Sequence, residues 1–222
     1  QGASHFAAIR GQGTPAILPA MSTTSLIDLL PAAARLAPET PEEVAVALDH
    51  ALRTERKVVV FSTGHGIPPI GDTSERMLLD LSAFNQVEID PVRRVARIGG
   101  AVQWHQLVAA AGKHGLTAPF GSAASVGVTG YMMGGGIGFM SRHLGLGCSS
   151  IRSALLVTPE GHIRRIDAGS DPDLFWALRG GGGGFGVITE LEVDLTPVPQ
   201  MAGGVLGWGI EDAGQVLERW SE

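Results

Sequence analysis

The chain has 222 residues, of which 44% are hydrophobic and 17% are charged, as in a folded protein of one large or two small domains. Its net charge of −6 and the lack of any Lys/Arg block disfavour nucleic acid as a partner. No apolar run reaches the roughly 18 residues of a membrane span, and residues 1–10 lack the layout of a secretion signal. We therefore expect a soluble, cytoplasmic protein; the composition gives no indication of its oligomeric state.

The first predicted elements are a capped helix and a buried strand. Thr40, Pro41 and Glu43 supply an N-cap, a proline at the first helical position and a T-x-x-E capping box, which predicts a helix over about residues 41–54. The continuous apolar run KVVVFS, residues 57–62, predicts a strand that is buried on both faces. This strand leads directly into the sequence TGHG.

The remaining elements mix strands and helices. Short strands are predicted at MLLDLS, QVEID and RRVARIG, followed by a helix over residues 102–114 and a hairpin formed by SALLVT and HIRRID. A short helix capped by Asp171 and the alternating strand VITELEVDL complete the series. Because no strict βαβ repeat is present, the predicted fold class is α+β.

The stretch RGGGGGFG, residues 179–186, fits the expression G-x-G-x-x-G of a dinucleotide-binding fingerprint. That fingerprint follows a strand and opens a helix, whereas here a helix precedes the glycines and a strand follows them. No GK[ST] follows a glycine cluster, which excludes a P-loop, and a flexible linker is disfavoured between two ordered elements. An ordered turn is the remaining interpretation.

Three glycine-rich stretches stand out, at residues 62–66, 121–138 and 179–186. Each alone is compatible with a tight turn, but together they remove side chains along a path where a large planar ligand and its phosphates could approach the backbone. The lone Cys148 is interpreted as a small buried residue rather than a nucleophile. The seven histidines lack close ligand spacing, so no metal site is expected.

In this order, the motifs resemble the FAD-linked oxidases of the vanillyl-alcohol oxidase superfamily, specifically the berberine bridge enzyme-like branch. The resemblance runs over about residues 38–199 and includes PETPEEV, TGHG, the glycine-rich stretch 121–138, DPDLFWALRGGGGGFGVIT and LTPV. It implies a PCMH-type FAD-binding domain over residues 38–200, made of two α+β subdomains with the flavin between them. Residues 1–37 are poorly assigned, and residues 201–222 resemble the first strand and helix of a truncated substrate-binding domain.

The resemblance also implies how FAD is held. The turn at residues 62–66 would wrap the pyrophosphate, with His65 forming a covalent bond to the flavin 8α-methyl group. Residues 121–138 would follow the isoalloxazine ring and ribityl chain, and the backbone near Val187 would meet the adenine. The predicted cofactor-binding residues are Ser62, Thr63, Gly64, His65, Gly66, Gly121, Ser122, Ser125, Val126, Gly127, Gly130, Gly134, Gly135, Gly136, Ile137 and Val187.

Two side chains, Tyr131 and Val126, are expected near the flavin, although a packing role is an equal alternative for Tyr131. Ala123 occupies the position of the cysteine that forms a second flavin bond in doubly linked members, so a second bond is not expected. Where many relatives have Asp-Asn after GLG, this chain has Cys148-Ser149-Ser150, so one acidic contact of the family is not assigned here. No catalytic base is assigned, because the family's substrate pocket lies in its second domain.

The resemblance implies the FAD-binding part of an oxidoreductase that oxidises a small alcohol, sugar or amine by hydride transfer to flavin. Val126 lies where residue bulk is thought to control oxygen access, and its short side chain predicts an oxidase; simple packing of the turn is the alternative. Two further alternatives are a non-catalytic flavin-binding module or subunit and an NADPH-using relative. The histidine of TGHG argues against the NADPH-using relative.

Overall fold

The computed structural model describes residues 32–66, 72–200 and 206–221. Ten strands and six α-helices are present in this part of the chain. In chain order they are β1 (Ala34–Leu36), α1 (Pro41–Arg53), β2 (Val58–Phe61), β3 (Met77–Asp80), β4 (Val87–Asp90), β5 (Val95–Gly99), α2 (Trp104–Gly112), β6 (Leu116–Thr117), α3 (Val128–Met133), α4 (Ser141–Leu144), β7 (Ile151–Val157), β8 (Ile163–Asp167), α5 (Pro172–Leu178), β9 (Val187–Asp194), β10 (Thr196–Pro197) and α6 (Ala213–Ser221).

Local capping chemistry sets the start of two helices as the sequence predicts. At α1 the Thr40 hydroxyl accepts a hydrogen bond from the Glu43 N–H at 3.2 Å. The Glu43 carboxylate accepts from the Glu39 N–H at 2.8 Å rather than from the N-cap residue, so the reciprocal half of the predicted capping box is displaced by one residue. At α5 the Asp171 carboxylate accepts from the Leu174 N–H at 3.2 Å.

Two sheets organise the described residues, which confirms the α+β class. The small sheet has the order β1-β3-β2 with parallel pairing, and α1 makes the crossover from β1 to β2. The large sheet has the order β4-β5-β9-β7-β8 with antiparallel pairing throughout, including the predicted β7–β8 hairpin. A two-residue ladder between β6 and β10 lies outside both sheets.

One apolar cluster joins the two sheets, and we call it the bridging cluster. It takes residues from α1, β3, β7, β9 and the connections between them, and its buried members are Val44, Ala47, Leu48, Leu79, Leu81, Phe84, Ala101, Val157 and Val187. Each fully buried Val, Leu or Phe side chain contributes about 1.5–3 kcal/mol. The sheets are therefore held together by a shared core rather than by a surface contact.

The predicted burial of β2 on both faces is wrong. Val59 and Phe61 are buried, but Val60, on the opposite face, is 44% exposed. The Val60 side of β2 borders a groove described below. The predicted burial of Cys148 is confirmed.

The chain's last described segment contains a helix, α6, as the resemblance suggests. The strand expected before it falls partly outside the described residues, and residues 206–209 do not form a strand. No helix in the described part of the chain is long and apolar enough to cross a membrane.

Candidate cofactor site

A groove separates the outer face of β2 from the glycine-rich segments attached to the large sheet. It consists of three adjoining cavities of about 370, 470 and 300 Å³, which we call the His65 cavity, the glycine cavity and the α1 cavity. Val60 borders all three, so the cavities form one elongated path along β2. Its size suits a large, extended ligand.

Charge in this groove differs from charge in the rest of the molecule. Among the described residues that line the three cavities there is no aspartate or glutamate, although the whole chain carries a net charge of −6. Arg76 borders the glycine cavity and Arg56 borders the α1 cavity. A groove without carboxylates and with two guanidinium groups favours an anionic ligand.

The turn at residues 179–186 forms one wall of the groove. It follows the helix α5 and precedes the strand β9. This is the predicted order, and it excludes a dinucleotide fingerprint, which follows a strand and opens a helix. A methyl group added at Gly182, Gly183 or Gly184 would meet no protein atom within 4 Å, so these glycines present bare backbone to open space. Gly186 has φ of +143°, and a Cβ there would lie 2.4 Å from the Val157 carbonyl oxygen. The turn is thus ordered and requires glycine at that position.

The turn at residues 62–66 closes the first end of the groove. Gly64 adopts a φ of +81°, which turns the chain directly after β2 ends. Thr63 is buried, whereas His65 is exposed and borders the His65 cavity. The His65 Nε2 atom lies 3.2 Å from the Ser125 hydroxyl oxygen, which links this turn to the second glycine-rich segment.

That second segment is fixed to the start of α2. The Trp104 N–H donates to the Val126 carbonyl, and the His105 N–H donates to the Ala124 carbonyl, both at 3.0 Å. These bonds satisfy donors that a helix leaves unpaired in its first turn. A Cβ on Gly127 would lie 3.2 Å from the Thr63 methyl carbon, so glycine permits the two segments to touch.

Tyr131, on α3, borders the His65 cavity but is held mainly by packing. Its ring makes an edge contact with Trp104, with centroids 5.2 Å apart and planes at 88°. A Cβ on Gly121, Gly136 or Gly138 would approach atoms of this side chain to between 2.5 and 2.8 Å. The Tyr131 hydroxyl is buried without a hydrogen-bond partner among the described residues, and burial raises its pKa.

The structure brings most of the predicted cofactor-binding residues to the groove. Those that border it are Ser62, Thr63, Gly64, His65, Gly66, Val126, Gly127, Gly130, Gly134 and Val187.

The other predicted residues lie elsewhere. Gly121 and Gly136 pack against Tyr131, and Ser125 contacts His65. Ser122, Gly135 and Ile137 border none of the three cavities, and Ile137 is 79% exposed. Contact of these six residues with a cofactor, like that of the groove residues, stays a prediction.

The groove residues missed from the sequence include Val58, Val60 and Arg76. Val58 and Val60 form the groove's apolar floor, and Arg76 supplies charge at its centre. The uninterrupted valine run was the sequence feature that could have indicated this floor. It was interpreted as core, because an apolar residue that faces a ligand cannot be told by pattern from one that faces a core. Within the described part of the chain, no group of three or more His, Cys, Asp or Glu side chains could hold a metal ion.

The glycine-walled groove between two sheets defines an α+β domain that binds an elongated, anionic cofactor. A family described as "FAD binding domain" matches residues 32–167 of this chain. The chain belongs to that family, within the berberine bridge enzyme-like branch of the vanillyl-alcohol oxidase superfamily, and its cofactor is FAD.

Relatives support this assignment in sequence and in structure. The chain is 37% identical to (R)-6-hydroxynicotine oxidase of Paenarthrobacter nicotinovorans over 167 residues, covering 75% of this chain and 36% of that enzyme. It superposes on the berberine bridge enzyme-like protein BBE-like 1 of Physcomitrella patens with a TM-score of 0.71 at 27% identity, covering 76% of this chain and 38% of that one. The chain spans about a third of the length of these relatives.

The chain is also similar in structure to Phl p 4, a grass pollen allergen. Two of its variants superpose with TM-scores of 0.70 and 0.69, each at 28% identity, covering 74% of this chain and 35% of theirs. One variant is described as a glucose dehydrogenase, and the other, which carries one additional isoleucine-to-valine substitution, as a glucose oxidase.

Proposed function

We propose that this chain is the FAD-binding part of a flavin-dependent oxidoreductase that oxidises a small alcohol, sugar or amine and passes the electrons to oxygen. The observation that carries the proposal is the elongated groove along β2, which has glycine walls, an apolar floor and no carboxylate among its described lining residues. FAD combines two flat aromatic rings with a doubly charged pyrophosphate, so these properties match its chemistry.

Distinct parts of the groove would serve distinct parts of the cofactor. Val58 and Val60 offer an apolar surface to a ring system, while Arg76 offers a positive charge midway along the path. The exposed backbone of Gly182 to Gly184 allows a ligand to approach without contacting a side chain. When bound, FAD supplies the redox chemistry by accepting a hydride, and these residues bind it, orient it and exclude water.

His65 is the proposed site of a single covalent bond to the flavin. It is exposed, it borders the first cavity, and its imidazole makes a single described hydrogen bond, to Ser125. Ala123 leaves no thiol at the second attachment position. We expect one FAD adduct by intact-mass measurement of the purified protein, and loss of this adduct in His65→Ala. An adduct that survives the substitution would contradict the assignment.

Oxygen as the electron acceptor is proposed from Val126. This residue is partly buried, borders the His65 cavity and is fixed through its carbonyl by Trp104. A valine leaves more room than leucine or isoleucine at a packed site, where one methylene can open or close a small void. The Phl p 4 variant described as a glucose oxidase differs from the one described as a glucose dehydrogenase by one isoleucine-to-valine change, which supports a link between a shorter side chain and oxygen reactivity in this fold.

The test compares how fast oxygen reoxidises the photoreduced holoprotein in a stopped-flow experiment. We expect rapid reoxidation with hydrogen peroxide formation in the wild type, and a rate at least about tenfold lower in Val126→Leu, because one methylene can close the void. Val46→Leu, the same change at a position that is 67% exposed on α1, is the matched control and should match the wild type. Slow wild-type reoxidation that is unchanged in Val126→Leu would favour a dehydrogenase with another acceptor.

Presence and covalency of the flavin are measured separately from turnover. The absorption spectrum of the purified protein reports bound flavin, and the spectrum of the pellet after acid precipitation reports the covalent fraction. Reduction of the full-length protein by substrate distinguishes an enzyme from a flavin-binding module, because both bind FAD and the enzyme alone is reduced by a small alcohol, sugar or amine.

A further inference from the structure

The hydrogen bond between His65 and Ser125 leaves the two imidazole nitrogens in different environments. Nε2 lies 3.2 Å from the Ser125 hydroxyl oxygen, whereas Nδ1 makes no hydrogen bond to any of the described residues. Both side chains are exposed, so solvent and a ligand in the His65 cavity can reach this pair. The contact therefore distinguishes the nitrogens before any cofactor bond forms.

Ser125 is placed firmly enough to impose this difference. The residues on either side of it, Ala124 and Val126, are each bonded through their carbonyl to the first turn of α2. His105 adds a second contact to Ala124, with its Nδ1 at 3.2 Å from the same carbonyl oxygen. Because the backbone is fixed on both sides, the Ser125 hydroxyl has a defined position beside the turn that carries His65.

A hydroxyl group can act both as donor and as acceptor, which suits it to both states of the imidazole. In the neutral tautomer with the proton on Nε2, this N–H donates to Ser125 and the Nδ1 lone pair is free to react. Once Nδ1 is alkylated and the Nε2 proton has left, Nε2 carries the lone pair and the Ser125 O–H donates to it. The same contact therefore persists before and after the bond forms.

We propose that Ser125 is a positioning residue that directs the flavin bond to Nδ1 of His65. This inference rests on the proposed covalent attachment. A bond forms between Nδ1 and the 8α carbon, while one C–H bond of the methyl group and the Nε2–H bond are broken. The two electrons and two protons released pass to dioxygen, which becomes hydrogen peroxide, and Ser125 stands where the Nε2 proton leaves for solvent.

The linkage is read directly from a flavin-labelled peptide of the wild-type protein by heteronuclear NMR. A methylene bonded to Nδ1 correlates through three bonds with the imidazole Cγ and Cε1 atoms, whereas one bonded to Nε2 correlates with Cδ2 and Cε1. We expect the Cγ correlation. A Cδ2 correlation would overturn the proposal.

The role of Ser125 is tested by mixing apoprotein with FAD in air and following the mass adduct over time. The rate should fall about three- to tenfold in Ser125→Ala, as expected for loss of one hydrogen bond, and the product should contain both linkage isomers. Ser125→Thr keeps the hydroxyl and should restore the rate and the single isomer. Ser82→Ala is the matched control, since Ser82 is also exposed and bonds one carboxylate, Asp80, outside the groove.

The outcomes separate this inference from the proposed function. Failure of the wild type to bind FAD would contradict the proposed function itself. Wild-type protein that binds FAD without forming an adduct would refute covalent attachment and, with it, the role of Ser125. A Ser125→Ala variant that forms the same isomer at the wild-type rate would refute the role of Ser125 alone.

Discussion

The two longer glycine-rich segments, residues 121–138 and 179–186, have different physical roles. In the turn at residues 179–186, the central glycines face open space and present backbone to the groove. In residues 121–138, glycines at three positions instead pack against the Tyr131 side chain, where a Cβ would collide with it. In the first segment, the central glycines leave room for a ligand; in the second, three of the seven glycines leave room for an aromatic side chain of the protein itself.

This difference shows that a glycine-rich motif does not identify contact residues by itself. Gly130 and Gly136 are six positions apart in one segment, yet Gly130 borders two cavities and Gly136 is buried against Tyr131. Substitution by alanine should separate the two roles. At Gly130 it should lower the affinity for FAD, and at Gly136 it should lower the stability of the fold.

The largest expected effect is on folding, in Gly136→Ala. This residue has φ of +73°, and its Cβ would lie 2.5 Å from the Tyr131 Cε1 atom. Backbone strain and overpacking together should lower the free energy of unfolding by about 3 kcal/mol. Chemical denaturation of the apoprotein measures the change. Gly112→Ala is the control, since a Cβ there meets nothing within 4 Å, and equal stability in both variants would contradict the packing role.

The next effect is on the cofactor, in Gly130→Ala. A Cβ at this position meets no protein atom within 4 Å, and the residue lies inside α3, where alanine favours the helix over glycine by about 0.5–1 kcal/mol. The apoprotein should therefore become slightly more stable. The added methyl group projects into the groove, so FAD affinity should fall about tenfold.

Titration of the Gly130→Ala apoprotein with FAD, followed by flavin fluorescence, measures this change. The same titration in a His65→Ala background removes any contribution from a covalent bond. Unchanged affinity would show that the groove along β2 is not where FAD lies.

The smallest effect is expected for Tyr131→Phe. The hydroxyl is buried and has no partner in the described part of the chain, so its removal should stabilise the fold by less than about 1 kcal/mol. If Tyr131→Phe instead lowers the free energy of unfolding, the hydroxyl makes a hydrogen bond and a purely packing role for Tyr131 is contradicted.

The pH dependence of Tyr131 can be followed without interference from other tyrosines, because it is the chain's one tyrosine. Burial raises its pKa above the ordinary value of 10.0, since the charged phenolate is poorly solvated. Its contribution to stability is therefore complete below pH 10.0 and is lost as the pH rises through the raised pKa. Phenolate absorbance of the native apoprotein should appear at higher pH than in the denatured chain, and should be absent in Tyr131→Phe.

Elements with local chemical signals could be predicted from the sequence. The caps at Thr40 and Asp171 fix helix starts within a few residues, and the alternation in VITELEVDL identifies β9. β1 and the two-residue ladder of β6 with β10 could not be found, because strands this short have no measurable period. α3 was missed because its glycine and β-branched residues have weak helix propensity, and its packing overrides that weakness.

The site was predictable where the family motif is contiguous, as in residues 62–66. It was not predictable at positions where the direction of a side chain decides whether the residue lines the groove. Val60 has the pattern of a core residue but is 44% exposed, and Gly121 lies in a cofactor-type motif but packs against the Tyr131 ring. Only the packing of distant segments decides between them.

Val187 belongs to the bridging cluster and also lines two cavities of the groove. Moving the groove walls apart at Val187 would therefore expose part of a buried core to water. We expect cofactor exchange to be slow and steeply temperature-dependent, with the barrier of a local unfolding event rather than that of a moving lid. Such a groove would retain FAD for a long time without any covalent bond.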